Sequence, residues 1–277
     1  MKYLVTGGAG YLGKKLIKRL LDQGQTDIKV VSRNECENIK LKEKFPFIEI
    51  VTGDLVDPFV CEKACLEVGG IYHLAAFKHV GLAEENVRQC VSSNVIGTMN
   101  LLEATRKNKP EFIIGISTDK AAQVKGIYGA TKLVMEGLFR EYEKVNPDTK
   151  YRTVRYGNVW RSTGSFIEKW EEKMKKGEEV ILTDPEASRF FWTVDEAVDL
   201  IFECLDKATD SKPFVPKMKA VKMGTVLEAC MEVYGQCPVK IIGLQPGENK
   251  IETTDGVTFS DQVEQFSRTE FIEKFLK

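Results

Sequence analysis

The chain has 277 residues, enough for one large domain with a substantial buried core. Its 40 basic and 41 acidic side chains leave a net charge of −1, so no basic field exists for nucleic acid or an anionic membrane. No apolar run approaches the roughly 20 residues that span a bilayer, and "MKYLVTGG" lacks a signal-peptide pattern, so a cytoplasmic protein without a membrane partner is expected.

The first element is a strand at 2–6, "KYLVT", which runs straight into "GGAGYLG". Gly7, Gly10 and Gly13 suit a sharp strand-to-helix turn, where positive φ and close backbone approach favour residues without a Cβ. The helix that follows, 11–24, begins with Tyr11 and Leu12 and presents its N-terminal N–H groups to a pyrophosphate. A second strand, 28–32, ends at Ser32 and Arg33, where an arginine suits the 2′-phosphate of NADP and an acidic residue would suit NAD. Glu35 lies late for that acid, so NADP is expected, with NAD possible. After the third strand, 47–51, Asp54 and Leu55 are placed to reach an adenine, although a turn-forming aspartate fits equally well. Cys61 and Cys65 fall on the next helix.

A fourth strand at 70–75 leads to Ala75, Ala76, Lys78 and His79. Apolar residues at three- and four-residue spacing predict one long helix over 87–108, containing Asn94, and another over 129–145. Between and after these helices come strands at 112–117 and 151–157. Strands alternating with helices predict an α/β fold with a doubly wound, Rossmann-like parallel sheet. Residues 1–160 form its dinucleotide-binding domain, carrying the catalytic residues. Residues 161–277 read as a small α+β substrate-binding region, interleaved with the first. Its helical candidates are 165–180, 193–208 with Thr193 as N-cap, 224–235 and 268–277.

The seven cysteines (36, 61, 65, 90, 204, 230 and 237) include no Cys-x-x-Cys pair, and the histidines are only His73 and His79. Reduced thiols and no metal site are expected.

The chemistry concentrates in "STDKAAQVKGIYGATK", residues 117–132. Tyr128 and Lys132, four apart at a helix start, project from one face. A tyrosine with a pKa of about 10 becomes a useful base only if neighbouring cations favour its phenolate. Ser117 and Thr118 end the preceding strand. Asp119 and Lys120 add an acid and a base that hydride transfer does not need, although such a pair can also be a solvated turn.

On the Thr6-Gly7-x-x-Gly10-x-x-Gly13 turn, "HLAA" at 73–76, Asn94, Ser117/Thr118 and Tyr128-x-x-x-Lys132, the chain resembles the extended short-chain dehydrogenase/reductases. With "AAFKHVGLAEEN", "RYGNVWRSTGS", "LTDPEASRFFWTVDEAVDLI", "FVPKM" and "PGENKIE", it is similar to the soluble, inverting UDP-N-acetylglucosamine 4,6-dehydratases, over residues 6–252. The resemblance implies a UDP-sugar substrate, oxidation at C4 by NADP with Tyr128 as base, and a homo-oligomer. It further implies that Lys120, partly neutral, removes the C5 proton, and that Asp119, kept protonated, serves the departing C6 hydroxyl. Lys78, His79, Asn158, Arg189 and Glu248 are expected around the substrate, with Arg189 on its diphosphate and Glu248 on its ribose. Asn94 is expected to organise the catalytic strand and its proton relay. Trp160-Arg161 departs from the smaller residues expected there, and "PGENKIE" keeps Glu248 and Glu252 but changes the residues between. Rival readings are a nucleotide-sugar 4-epimerase, which would not use Asp119 and Lys120, and a catalytically silent NADP-binding scaffold.

Overall fold

The computed structural model describes residues 1–277. Its main sheet opens with β1 (Tyr3–Thr6), α1 (Tyr11–Asp22), β2 (Ile28–Ser32), α2 (Glu35–Lys44), β3 (Glu49–Thr52), α3 (Pro58–Cys65) and β4 (Gly70–His73). Helices α4 (Val80–Glu85), α5 (Val87–Val91) and α6 (Gly97–Asn108) lead to β5 (Phe112–Thr118), α7 (Ile127–Val145) and β6 (Lys150–Tyr156). The later elements are β7 (Asn158–Val159), α8 (Phe166–Lys175), β8 (Val180–Leu182), β9 (Ser188–Trp192), α9 (Val194–Lys207) and β10 (Pro213–Phe214). Last come β11 (Ala220–Lys222), α10 (Met223–Tyr234), β12 (Val239–Ile241) and α11 (Arg268–Phe271).

Seven parallel strands lie in the order β10-β6-β5-β4-β1-β2-β3. The order reverses between β1 and β4, which opens a crevice at the carboxyl ends of these strands. One face is covered by α1 and α9, whose Leu16, Ile17, Leu20, Ala197, Val198 and Ile201 pack into one core. The other is covered by α3, α6 and α7 through Cys61, Cys65, Leu101, Leu102, Met135 and Phe139. A third core, built on Trp160, Trp170, Phe191, Phe271 and Phe275, lies beneath two small sheets of order β11-β9-β7 and β12-β8. Although α9 and β10 come after residue 160, they complete the main sheet and its cover. The Thr193 cap of α9 closes a capping box with Glu196, satisfying two orphan N–H groups.

Three local differences from the sequence reading have physical causes. The third strand forms at 49–52, not 47–51, because Phe47 is 88% exposed and points away from the core. Helix α2 buries only Asn38 and Leu41, so its apolar period is too weak to read. The expected helix over 87–108 runs through without a break but carries a π-turn at Ser92–Ile96, within which Asn94 is buried.

Candidate active site

The turn after β1 is a cradle that side chains would fill. Gly7 has φ +67°, and a Cβ there would lie 2.9 Å from the Ala75 nitrogen. A Cβ on Gly13 would lie 2.5 Å from the Cα of Gly8. Helix α1 starts at Gly10 with no side-chain cap and no acidic residue in its first turn, so its N–H groups and positive dipole end suit an anion. The residues present therefore fit a dinucleotide pyrophosphate.

The wall beside this turn is tied down by neutral polar groups. Thr6 Oγ1 accepts the N–H groups of Leu74 and Ala75, each at 3.1 Å, and lies 2.8 Å from His73 Nδ1. On the other side, His73 Nε2 is 2.9 Å from Thr98 Oγ1, which itself donates to the Asn94 carbonyl at 2.8 Å. With that hydroxyl proton committed, Nε2 is the donor and Nδ1 the acceptor. Burial pushes His73 down to about 3, so the ring stays neutral. Asn94 clasps the backbone of Phe77, accepting its N–H at 2.7 Å and donating to its carbonyl at 2.9 Å, and donates to Thr131 at 3.0 Å.

From the cradle a cavity of about 840 Å³ runs across the strand ends. It passes Gly7, Gly10, Tyr11, Leu12 and Gly13, then Ser32, Arg33, Asp54 and Leu55, then Ala75 and Ala76. It continues to Thr118, Lys120, Tyr128 and Lys132, and ends among Lys78, His79, Asn158, Arg161 and Glu248. Arg33 pairs with Asp54 at 3.1 Å, and Asp54 also accepts the Val56 N–H at 3.1 Å, the turn-forming role. Lys78 donates to the Thr163 carbonyl at 2.9 Å, and its burial lowers its proton affinity. Three expected site residues, Asp119, Asn94 and Arg189, do not line this cavity.

At the centre, β5 ends at Thr118 and a single 3₁₀ turn, Asp119–Ala121, carries the acid–base pair. Helix α7 starts hard against that turn. A Cβ on Gly129 would lie 2.3 Å from the Lys120 carbonyl oxygen. Asp119 is buried behind the turn, where its Oδ1 accepts the Thr118 hydroxyl at 2.7 Å and the Lys120 N–H at 2.9 Å. Lys120 Nζ lies between two carboxylates, 3.2 Å from Asp119 Oδ1 and 3.1 Å from Glu252 Oε1.

These contacts reverse two expected charge states. Burial pulls the Lys120 ammonium down, but Asp119 and Glu252 more than offset it and hold the amine protonated. Burial pushes Asp119 up, yet the Lys120 charge and the hydrogen bonds bring it below the usual carboxylate range. The pair is therefore an ion pair, not a neutral amine beside a protonated acid. Arg189, expected on the diphosphate, is drawn to this cluster and does not line the cavity. Its Nε lies 3.4 Å from Glu252 Oε1, and its Nη1 donates to the carbonyls of Ser188 and Lys250 at 3.0 and 3.3 Å.

Glu252 is the residue whose importance the linear motif conceals. Besides Lys120 and Arg189, it faces the Asn158 amide and the Phe190 N–H, each 3.4 Å from Oε2. Burial, reinforced by the Asp119 charge, pushes its carboxyl up to about 7. Burial raises Tyr128 to about 12, with the Lys120 charge opposing it. Lys132 instead donates to the Ile116 carbonyl at 2.7 Å, and burial lowers it to about 8. Beside them Ser117 donates to the buried Glu136 at 2.5 Å, and Arg155 closes on the same carboxylate at 2.6 and 2.7 Å. Trp160 is an aromatic-core residue, 5.1 Å from the Phe271 ring centre, and it also forms cavity wall. Arg161 takes φ +54° and bonds Glu171 and Tyr234, each at 2.7 Å.

A glycine cradle at the switch point of a doubly wound sheet, with Tyr-x-x-x-Lys after its fifth strand, defines an extended short-chain dehydrogenase/reductase. Within that class, the chain belongs to the polysaccharide biosynthesis protein family, whose model matches residues 3–272. It is 38% identical over 261 residues to an uncharacterized membrane protein of Methanocaldococcus jannaschii, covering 90% of this chain and 78% of that one. It is 31% identical over 251 residues to the UDP-N-acetylglucosamine 4,6-dehydratase (inverting) of Campylobacter jejuni, covering 88% and 74%. The X-ray structure of Pen from Bacillus thuringiensis superimposes with a TM-score of 0.94 at 27% identity, covering 99% of this chain and 96% of that one. No helix of this chain is long and apolar enough to cross a membrane.

Proposed function

We propose that this chain dehydrates UDP-N-acetylglucosamine to a UDP-4-keto-6-deoxy-hexosamine, inverting C5, with NADP as its cofactor. One observation carries the reading: Lys120 shares the cavity wall with Tyr128, giving two proton-transfer groups where a simple oxidation needs one. The 31% identical dehydratase supports the same chemistry. The glycine cradle and Arg33 would hold the cofactor, which when bound supplies the acceptor and donor of a hydride. Arg33, at the end of β2, favours NADP over NAD.

Tyr128 is the group for the C4 hydroxyl proton, where burial disfavours its phenolate and the Lys120 charge works against that effect. A ketone at C4 acidifies the adjacent C5–H, and Lys120 is the group that takes that proton. Asp119 holds the Lys120 side chain in place from behind. Lys78, His79, Asn158 and Glu248 surround the sugar nucleotide, and the cations that line that end, Lys78 and Arg161, suit its diphosphate.

The test is turnover of UDP-N-acetylglucosamine in D₂O, followed by NMR and mass spectrometry. Loss of water with deuterium at C5 is expected, and Lys120→Met should abolish both. An unchanged mass with inverted C4 would instead establish an epimerase. Cofactor binding with every UDP-sugar unchanged would establish a silent scaffold.

A further inference from the structure

We propose that Glu252 holds the Lys120 proton while Lys120 works on the sugar, so that Lys120 alone carries the C5 proton to the leaving C6 hydroxyl. This rests on the dehydration reading above. Of the buried cluster Asp119, Lys120 and Glu252, only Lys120 lines the cavity, so neither carboxylate stands at the sugar. As an ammonium, Lys120 cannot accept a proton. It must first pass one to a neighbour, and two carboxylates, Asp119 and Glu252, are within reach.

Their surroundings decide between them. Asp119 Oδ1 already accepts short bonds from the Thr118 hydroxyl at 2.7 Å and the Lys120 N–H at 2.9 Å, which stabilise its charged form. Glu252 has longer contacts to cations and N–H donors, with Lys120 at 3.1 Å and Arg189, Asn158 and the Phe190 N–H at 3.4 Å. Its carboxyl also hydrogen-bonds Asp119, a contact that favours the protonated form of Glu252 and the charged form of Asp119. The charged groups that face Glu252 are Asp119 and Lys120 from the turn after β5 and Arg189 from β9. Burial and the Asp119 charge raise its proton affinity, whereas Asp119 is held below the ordinary range. Asn158, which lines the cavity and donates to Glu252, links substrate arrival to this carboxylate.

The step balances within the cluster. The Lys120 ammonium passes one proton to Glu252, leaving a free amine and a carboxylic acid. The amine removes the C5 proton, and the C–H electron pair becomes the C5–C6 double bond as the C6–O bond breaks. Lys120 then returns that proton to the departing hydroxide, which leaves as water. Nothing is oxidised or reduced in this step, and Lys120 ends as the amine. Glu252 gives its proton back when Lys120 recharges.

The decisive variant is Glu252→Gln, which keeps the volume and the contacts to Asn158 and Phe190 but is no proton acceptor. With UDP-N-acetylglucosamine and NADP⁺ in D₂O, it should still reduce its cofactor at C4. Deuterium entry at C5 and water loss should fall about 100-fold or more. In the wild-type chain, turnover should decline as pH falls through about 7, because Glu252 is then protonated in advance. That acid limb should vanish in Glu252→Gln and return in Glu252→Asp. Wild-type exchange rates in the Gln variant, or an unchanged acid limb, would overturn the proposal. Absence of the limb in the wild-type chain would overturn it without any variant. Absence of water loss in the wild-type chain would instead remove the dehydration reading itself.

Discussion

Replacing Gly129 by alanine probes how tightly the catalytic helix is seated on the acid–base turn. The new Cβ would sit 2.3 Å from the Lys120 carbonyl oxygen and 3.0 Å from its carbonyl carbon, where ordinary contact begins at 3.4 Å. Both atoms are backbone, so no side chain can swing aside, and turn and helix must separate by about 1 Å. Two effects oppose each other in the stability. Alanine improves helix propensity by about 1 kcal/mol over glycine, whereas forced overpacking costs about 1–3 kcal/mol. The clash wins at most of that range, and Tm should fall by a few degrees at about 2–4 °C per kcal/mol. Activity should respond more strongly, since a reactive group displaced by about 1 Å loses about 100-fold in rate. The phosphate cradle and the Lys78–Asn158–Glu248 end are untouched, so cofactor affinity and KM should change little. Thermal unfolding and steady-state dehydration assays read both effects. A variant with raised Tm and kcat within about threefold of the parent would refute the seating.

Other predictions follow from the buried charges and from the cofactor groove. Arg155→Met strands the buried Glu136 carboxylate and should cost about 3–5 kcal/mol in urea unfolding. A double variant that also makes Glu136→Leu should recover much of that loss, and equal instability of the two would contradict it. His73 titrates near 3 in the fold, below its ordinary unfolded value of 6.5. The unfolded chain therefore binds more protons, and this contribution is complete above pH 6.5 and lost on acidification, by up to about 1.4 kcal/mol per pH unit. His73→Asn should flatten that slope of stability against pH by about one proton, which urea titrations between neutral and mildly acid pH will register. Arg33→Ala should weaken NADP binding about 10-fold or more while sparing NAD. An equal loss for both cofactors in calorimetry would remove Arg33 from the 2′-phosphate.

Much of the fold is written in local pattern. Five of the six expected strands of the main sheet bury nearly every side chain, so each announces itself within a few positions, whereas β3 at the sheet edge buries only Val51. Helix α2 stays hidden because two buried positions make no periodic signal. The π-turn at Ser92–Ile96 is also hidden, since one extra residue per turn leaves composition unchanged while turning Asn94 onto Phe77. The site divides in the same way. Thr118, Lys120, Tyr128 and Lys132 sit within one turn and one helix start, so their nearness in sequence is nearness in space. Arg189 and Glu252 come from distant segments, and no spacing rule says that the arginine would turn from the cavity to the glutamate. Charge states are the least legible, because Lys120 is held protonated by Asp119 beside it together with a carboxylate 132 positions away.

That distance changes what the C-terminal region contributes. Glu252 is fixed through its own backbone, whose N–H donates to Ser260 Oγ at 2.9 Å and whose carbonyl accepts the Ser260 N–H at 2.8 Å. Ser260 in turn donates to the Ser188 carbonyl on β9 at 3.2 Å, and Arg155 on β6 donates to the Thr254 carbonyl at 3.0 Å. The segment 252–260 is thus stitched to both the main sheet and the small sheet, with its one buried carboxylate pressed against Lys120. A region that served only to grip a sugar would need no such tie behind the catalytic turn. Its removal would leave Lys120 paired to Asp119 alone. The region beyond residue 160 therefore reaches the turn after β5, and the buried cluster around Lys120 is built from both halves of the chain.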